Sequence, residues 1–254
     1  MSKFSFFILI LLLVGCGQSE SGKEKTPDSL HKQGKSPKRG YTIDTTKVKV
    51  ENRILIDSLV DIRSINPIIQ VDLKYATTDN FMKTRLYEHL KNAYLQKDVA
   101  IRLSKSQDLL SSLKPNYCLL VYDAVRPVSV QQKMWDALDS IPPSERGKFV
   151  SNPQNRSLHN MGAAVDLTIL DERGIPLDMG AGYDDIRKIA YPILEKEYLA
   201  TGELTTQQIA NRELLRTVMK SQSFRPLETE WWHFNACSRA EGKAKYKVLM
   251  EEVE

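Results

Sequence analysis

Two of the four histidines in these 254 residues stand beside carboxylates at spacings that suit a metal. In SLHNMGAAVD, residues 157–166, His159 precedes Asp166 by seven positions, and in ETEWWHF, residues 228–234, Glu230 precedes His233 by three. A catalytic zinc commonly takes three protein ligands from histidine and carboxylate and leaves a fourth position for water. A nearby carboxylate that does not bind the metal can then deprotonate that water. His159, Asp166 and His233 fit the ligand roles, and Glu230 fits the base. Each residue also has a plainer reading: a hydrogen-bonded loop histidine, an aspartate holding backbone amides, a surface acid beside one core and one surface tryptophan. In a regular strand, positions three apart face opposite sides, so Glu230 and His233 share a site only if a bulge or turn intervenes.

YDAVRP, residues 122–127, places Arg126 at the exit of an apolar run. A guanidinium there is either a fixed donor for the oxyanion that forms when water attacks an amide, or the partner of Asp123 in a turn.

The elements that must carry these residues follow from periodicity. Val60 to Tyr75 reads as a strand entry, and Val99 to Leu113 as a helix ended by Pro115 and Asn116. Tyr117 to Tyr122 is a short apolar strand, Ser129 to Leu138 a helix, and 147–157 a loop. Ala164 to Leu170 alternates, with Val165, Leu167 and Ile169 on one side and Asp166 and Thr168 on the other; the turn at Asp171 to Gly174 predicts a hairpin. Helices are expected over Asp184 to Tyr198 and Gln207 to Lys220, and a final strand or extended edge over Glu230 to Asn235. This mixture predicts a single α+β domain over 51–254.

The chain ahead of that domain has a different character. Residues 4–14 are an apolar run after Lys3, too short to span a bilayer comfortably and typical of a signal peptide, which assigns 1–15 to a leader. Leu13, Val14, Gly15 and Cys16 resemble the lipobox of bacterial lipoproteins, in which the cysteine carries the lipid. That resemblance implies a membrane anchor through Cys16 and a place in the cell envelope. Residues 16–50 read as the lipidated cysteine and a flexible tether, because 17–50 offer almost no large apolar side chain to bury.

Eight Lys and Arg stand against four acids in 17–50, enough to account for the formal +4 of the whole chain. The folded part is thus close to neutral and makes no case for nucleic acid. In an oxidising compartment Cys118 and Cys237 could pair, or Cys118 could be a small hydrophobe in its strand.

Together with DLKYATTDNF (72–81) and MGAGYD (179–184), the three chemical segments resemble the zinc D-alanyl-D-alanine dipeptidases of the VanX type, within peptidase family M15. The resemblance spans most of residues 60 to 236. It implies a hedgehog-like D-Ala-D-Ala-peptidase fold with a central, mostly antiparallel sheet and flanking helices, and one zinc per chain on His159, Asp166 and His233. It implies Glu230 as general base, Arg126 as the group that steadies the tetrahedral intermediate, and Ser157 and Asp184 as the pair holding the free ammonium of a small D,D-dipeptide. Gly162, Ala163 and Ala164 then read as small residues that let the backbone run close to the metal, or as a flexible turn.

The implied activity is hydrolysis of D-Ala-D-Ala in wall turnover or recycling. The rivals are a D,D-carboxypeptidase or wall endopeptidase of the same family, and a zinc-containing binding module without catalysis.

Overall fold

The structure is a computed structural model that describes residues 57–252 except 148, together with Thr46, Arg53 and Leu55. The expected leader, the lipidated cysteine and nearly all of the tether lie outside the described residues. No helix among the described residues is long and apolar enough to cross a membrane.

In chain order the elements are β1 (Val60–Asp61), α1 (Ile62–Ile65), β2 (Gln70–Val71), β3 (Tyr94–Leu95), α2 (Lys97–Leu113), β4 (Cys118–Asp123), α3 (Val128–Ala137), α4 (Pro143–Arg146), β5 (Ala164–Leu170), α5 (Glu195–Thr201), α6 (Thr206–Ser221), β6 (Arg225–Pro226), β7 (His233–Asn235) and α7 (Arg239–Lys245). Five strands form one sheet in the order β2-β4-β5-β7-β6, in which only β2 and β4 run parallel. The α+β class and the mostly antiparallel sheet are as the sequence implies.

All seven residues of β5 are buried, because both faces of the strand are covered. Val165, Leu167 and Ile169 enter the main core with Leu119 and Val121 of β4, Leu103 and Leu110 of α2, and Leu215, Val218 and Met219 of α6. On the other face, Leu120, Tyr122 and Leu170 form a small apolar group under Tyr183. Asp166 belongs to this second face by the two-residue alternation of a strand. The sheet therefore separates the core from the chemistry.

The ends of the two long helices follow local chemistry. Thr205 and Gln208 form a reciprocal capping box at the start of α6. Asn116, at φ 68°, takes the left-handed conformation just after α2, where the sequence predicted a stop.

Several expectations need correction. Between Val60 and Tyr75 only two short strands form, since Pro67 donates no hydrogen bond and Asn66 Oδ1 instead takes the Ile68 N–H at 3.1 Å. The turn at Asp171 forms, but its return is a single bridge from Leu170 to Pro176 rather than a second strand. The helix expected from Asp184 begins only at Glu195. Asp184 has φ 59°, the Asp185 carboxylate takes the Arg187 N–H at 2.9 Å, and Pro192 lacks a donor.

The segment Glu230 to Asn235 is not an edge, because β6 pairs along the outer side of β7. Gly162, at φ 63°, donates its N–H to the His159 carbonyl at 3.1 Å and also allows a close approach to a neighbouring segment. A Cβ there would meet Leu59 Cδ2 at 3.2 Å and Gln96 N at 3.3 Å, and its carbonyl accepts from Gln96 N at 2.9 Å. Cys118 and Cys237 are both free thiols.

Candidate metal centre and active-site cavity

Three strands and one helical turn converge on the site. Asp166 of β5 lies directly opposite His233 of β7 and opposite Asp123 of β4, where a register shift between Val121 and Asp123 bends the strand. His159 opens a single 3-10 turn, His159–Met161, just before β5. Trp231 and Trp232 make a turn before β7, so Glu230 lies outside the strand and reaches the same side as His233. The interruption that their spacing required is present. Both tryptophans are buried, and Trp231 Nε1 donates to the Ala181 carbonyl at 3.1 Å.

The ring protons of the two histidines are committed away from the centre. His159 Nδ1 donates to the Ala124 carbonyl at 2.7 Å, and His233 Nε2 donates to Asn235 Oδ1 at 3.0 Å. His159 Nε2, His233 Nδ1 and Asp166 Oδ1 are left facing one another at 3.2, 2.9 and 3.3 Å. Ligand atoms bound tetrahedrally to zinc at roughly 2.0–2.1 Å stand roughly 3.3 Å apart. The donor set, its burial and its spacing therefore fit a divalent cation of this kind.

The electrostatics point the same way. Burial opposes ionisation of Asp166, but the two imidazoles outweigh it and hold the carboxyl far below the usual carboxylate range. Burial likewise opposes charge on His233, yet the hydrogen bond and charge of Asp166 push it up to about 9 when no metal is bound. The centre demands positive charge from a proton or a metal.

Arg126 pairs with Asp123, as one of its two readings has it, and also lines the cavity. Its guanidinium bonds Asp123 Oδ2 at 2.6 and 2.8 Å and reaches Asp166 Oδ2 at 3.4 Å, stacked over the Tyr75 ring at 4.9 Å. Tyr87 donates to the other Asp123 oxygen at 2.5 Å, so this fully buried carboxylate is satisfied on both sides. Glu230 Oε2 stands 3.8 Å from His233 Nδ1. Burial raises its pKa, and the His233 charge opposes that rise.

Ser157 and Asp184 line the same cavity of about 360 Å³ as His159, Asp166, Glu230, His233 and Arg126. Ser157 Oγ donates to Gln131 Oε1 at 2.8 Å, which leaves its lone pairs free to accept. Asp184 Oδ1 accepts from Tyr75 at 3.0 Å, while Oδ2 is buried without a partner among the described residues. Burial, reinforced by the Asp166 charge, raises the Asp184 pKa well above its ordinary value. All seven residues singled out from the sequence thus meet in one place. Sequence reasoning missed Tyr183, which donates to Asp166 Oδ2 at 3.2 Å, and also Tyr75 and Asn235. Each lies in or beside a quoted motif, but a tyrosine or asparagine carries no spacing signal of its own.

The fold and this centre define a family of metallopeptidases. The family model described as "D-ala-D-ala dipeptidase" (peptidase M15) matches residues 56–249, and the chain belongs to that family. The chain is similar to the D-alanyl-D-alanine dipeptidase of Escherichia coli K12, 34% identical over 178 residues that cover 69% of this chain and 83% of that protein. It is similar also to the D-alanyl-D-alanine dipeptidase of Synechocystis, 31% identical over 172 residues, 56% of this chain and 68% of the relative. The Enterococcus faecalis protein of the same name is 28% identical over 180 residues, with 65% and 85% covered.

Proposed function

We propose that the protein hydrolyses D-Ala-D-Ala to free D-alanine with one zinc per chain held by His159, Asp166 and His233. The observation that carries this reading is the pairing, in one cavity, of three converging metal-ligand atoms with a buried carboxylate oxygen of Asp184 that has no partner among the described residues. The first suits hydrolysis and the second suits a substrate ammonium, which a dipeptide presents one residue from its scissile bond.

Bound zinc would supply Lewis acidity and bring the pKa of a coordinated water towards ~7. Glu230, its proton affinity raised by burial, takes the proton from the attacking water and delivers it to the leaving amine. The Arg126 guanidinium, fixed by Asp123, donates to the oxyanion that forms at the scissile carbonyl. Asp184, oriented by Tyr75, pairs with the substrate ammonium, and the Ser157 hydroxyl accepts a hydrogen bond from it.

The test is to measure the metal content of the protein and its release of alanine from D-Ala-D-Ala, L-Ala-L-Ala and a pentapeptide ending in D-Ala-D-Ala. One zinc per chain with selective cleavage of the D,D-dipeptide is expected. Activity confined to the pentapeptide would move the protein to the carboxypeptidases, and bound zinc without hydrolysis would make it a binding module. Glu230→Gln should retain zinc and lose turnover; loss of both would make Glu230 a ligand.

We propose also that Cys16 carries lipid and that the catalytic domain, tethered in the cell envelope, salvages dipeptide released from the wall. The lipobox-like sequence and the tether composition support this reading. Incorporation of labelled palmitate that persists in Cys16→Ala would overturn it.

A further inference from the structure

The cavity around the three ligands is electrically polarised. Tyr183 touches Tyr122 of β4 and Asp166 of β5, on one side of His233, and packs on Tyr75, which donates to Asp184. Arg225 of β6, the strand on the other side of β7, and Arg239 of α7 also line the cavity. Arg225 lies opposite Asn235 in the β6–β7 pairing, and Asn235 is two residues on from His233. Directly paired residues, and residues two apart on a strand, share a sheet face. Arg225 is therefore on the metal-binding face of the sheet, one strand beyond His233.

Neither arginine is spent on the fold. Arg225 meets Glu241 at 3.5 Å, and both side chains are more than half exposed, the kind of pair that contributes little. Glu241 is already engaged by the Ser238 N–H at 2.6 Å. Arg239 is exposed and has no ionic partner among the described residues. Arg126, the other arginine of the cavity, is held by two buried carboxylates, and its remaining donors are the ones assigned to the oxyanion.

The spacing suits a short zwitterion. The charged ends of an extended dipeptide lie roughly 7 Å apart. Strand β5, which carries Asp166, and β6, which carries Arg225, are two spacings apart, roughly 10 Å, a span that the long Arg225 side chain shortens towards the metal centre.

We infer that Arg225 and Arg239 form a carboxylate subsite that takes the free C-terminal carboxylate of the substrate. The enzyme then requires a free carboxyl terminus as well as a free amine, and internal peptide bonds of a cross-linked wall are excluded. A guanidinium is suited to this task because its planar fork meets a carboxylate with two parallel hydrogen bonds. The inference rests on the dipeptidase reading and specifies which end of the cavity holds which end of the substrate.

The experiment compares D-Ala-D-Ala with its C-terminal amide on the zinc-loaded protein, for the wild type, Arg225→Ala, Arg239→Ala, the double variant and the two Lys variants. The ratio of kcat/KM for the acid to that for the amide should be tenfold or more in the wild type. It should fall tenfold or more in the double variant through a higher KM for the acid, with Lys recovering part of it. A wild type that cleaves acid and amide equally, or variants that lower both rates in the same proportion, would overturn the subsite. If the wild type hydrolyses neither peptide, the dipeptidase reading fails by itself. Calorimetry with the same, now stable, pair still decides: acid-selective binding lost in the double variant supports the subsite, and equal affinities overturn it.

Discussion

Asn235 Oδ1 accepts the Nε2 proton of His233 at 3.0 Å from only two residues further along the same strand, and so turns the Nδ1 lone pair of that ring towards Asp166 and His159. Outer partners of this kind typically account for ten- to a hundredfold in metal affinity. Asn235→Ala should weaken zinc binding by about that factor in a chelator competition, while Asn235→Asp retains most of it. An unchanged affinity in the alanine variant would show that the ring needs no such guide.

Removing the metal should lower thermal stability. A ligand that binds only the folded state at a hundred times its Kd adds about 2.7 kcal/mol. For a domain of this size that corresponds to a loss of roughly 5–10 °C in Tm. Chelated protein followed by calorimetry, with and without added zinc, reads this directly, and a Tm indifferent to zinc would contradict metal binding by the folded centre.

Arg126→Ala should cost a hundredfold or more in kcat, as loss of an oxyanion donor commonly does. It also leaves Asp123, fully buried, with the Tyr87 hydroxyl on Oδ1 and the His159 ring 3.5 Å from Oδ2 but no cation paired to it, so a stability loss of ~3–5 kcal/mol should accompany it. Arg126→Lys separates the two effects, because it keeps a positive charge beside Asp123 but lacks the two-pronged donor. Urea unfolding with zinc content, set beside turnover, distinguishes them; full activity in either variant would remove Arg126 from the chemistry.

Asp184 should show activity and stability moving in opposite directions. Its folded-state pKa is raised by burial, so its contribution is most favourable below the ordinary aspartate value and is lost as pH rises towards the raised one. Asp184→Asn should remove this component of the stability–pH curve above pH ~4 and stabilise the fold at neutral pH by ~0.5–2 kcal/mol, while raising KM for the dipeptide. Urea titrations between pH 4 and 8 check the first, and steady-state kinetics the second.

The parts of the molecule that repeat locally were legible in the sequence. The alternation of β5 set Asp166 apart from Val165, Leu167 and Ile169, and the helical spacing of Leu103 and Leu110 located α2 to within two residues at its start. The chemical residues were legible because histidine is scarce and each stands in a short motif. The register that brings Asp166 opposite His233 was not legible, since it joins positions 67 residues apart and is set by strand order in the sheet. The 184–194 segment misled because its apolar spacing is helical. The left-handed Asp184 and the Asp185 hydrogen bond to Arg187 act on the backbone before that spacing can. Arg225 and Arg239 carried no signal at all, as exposed arginines are ordinary until a neighbouring strand places them in a cavity.

Strand β7 lies between β5 and β6 although it is last of the three in the chain. A polypeptide emerging in order presents His159 and Asp166 early, but the third candidate ligand, His233, has no place until β7 lies between two strands made before it. The segment after it then closes over the first: Leu249 N–H bonds the Asn160 carbonyl at 2.7 Å, and Val128 N–H bonds the Leu249 carbonyl at 3.0 Å. A nascent chain that stops short of β7 therefore holds only two of the three candidate ligands, so the metal centre cannot be completed strand by strand as the sheet is made.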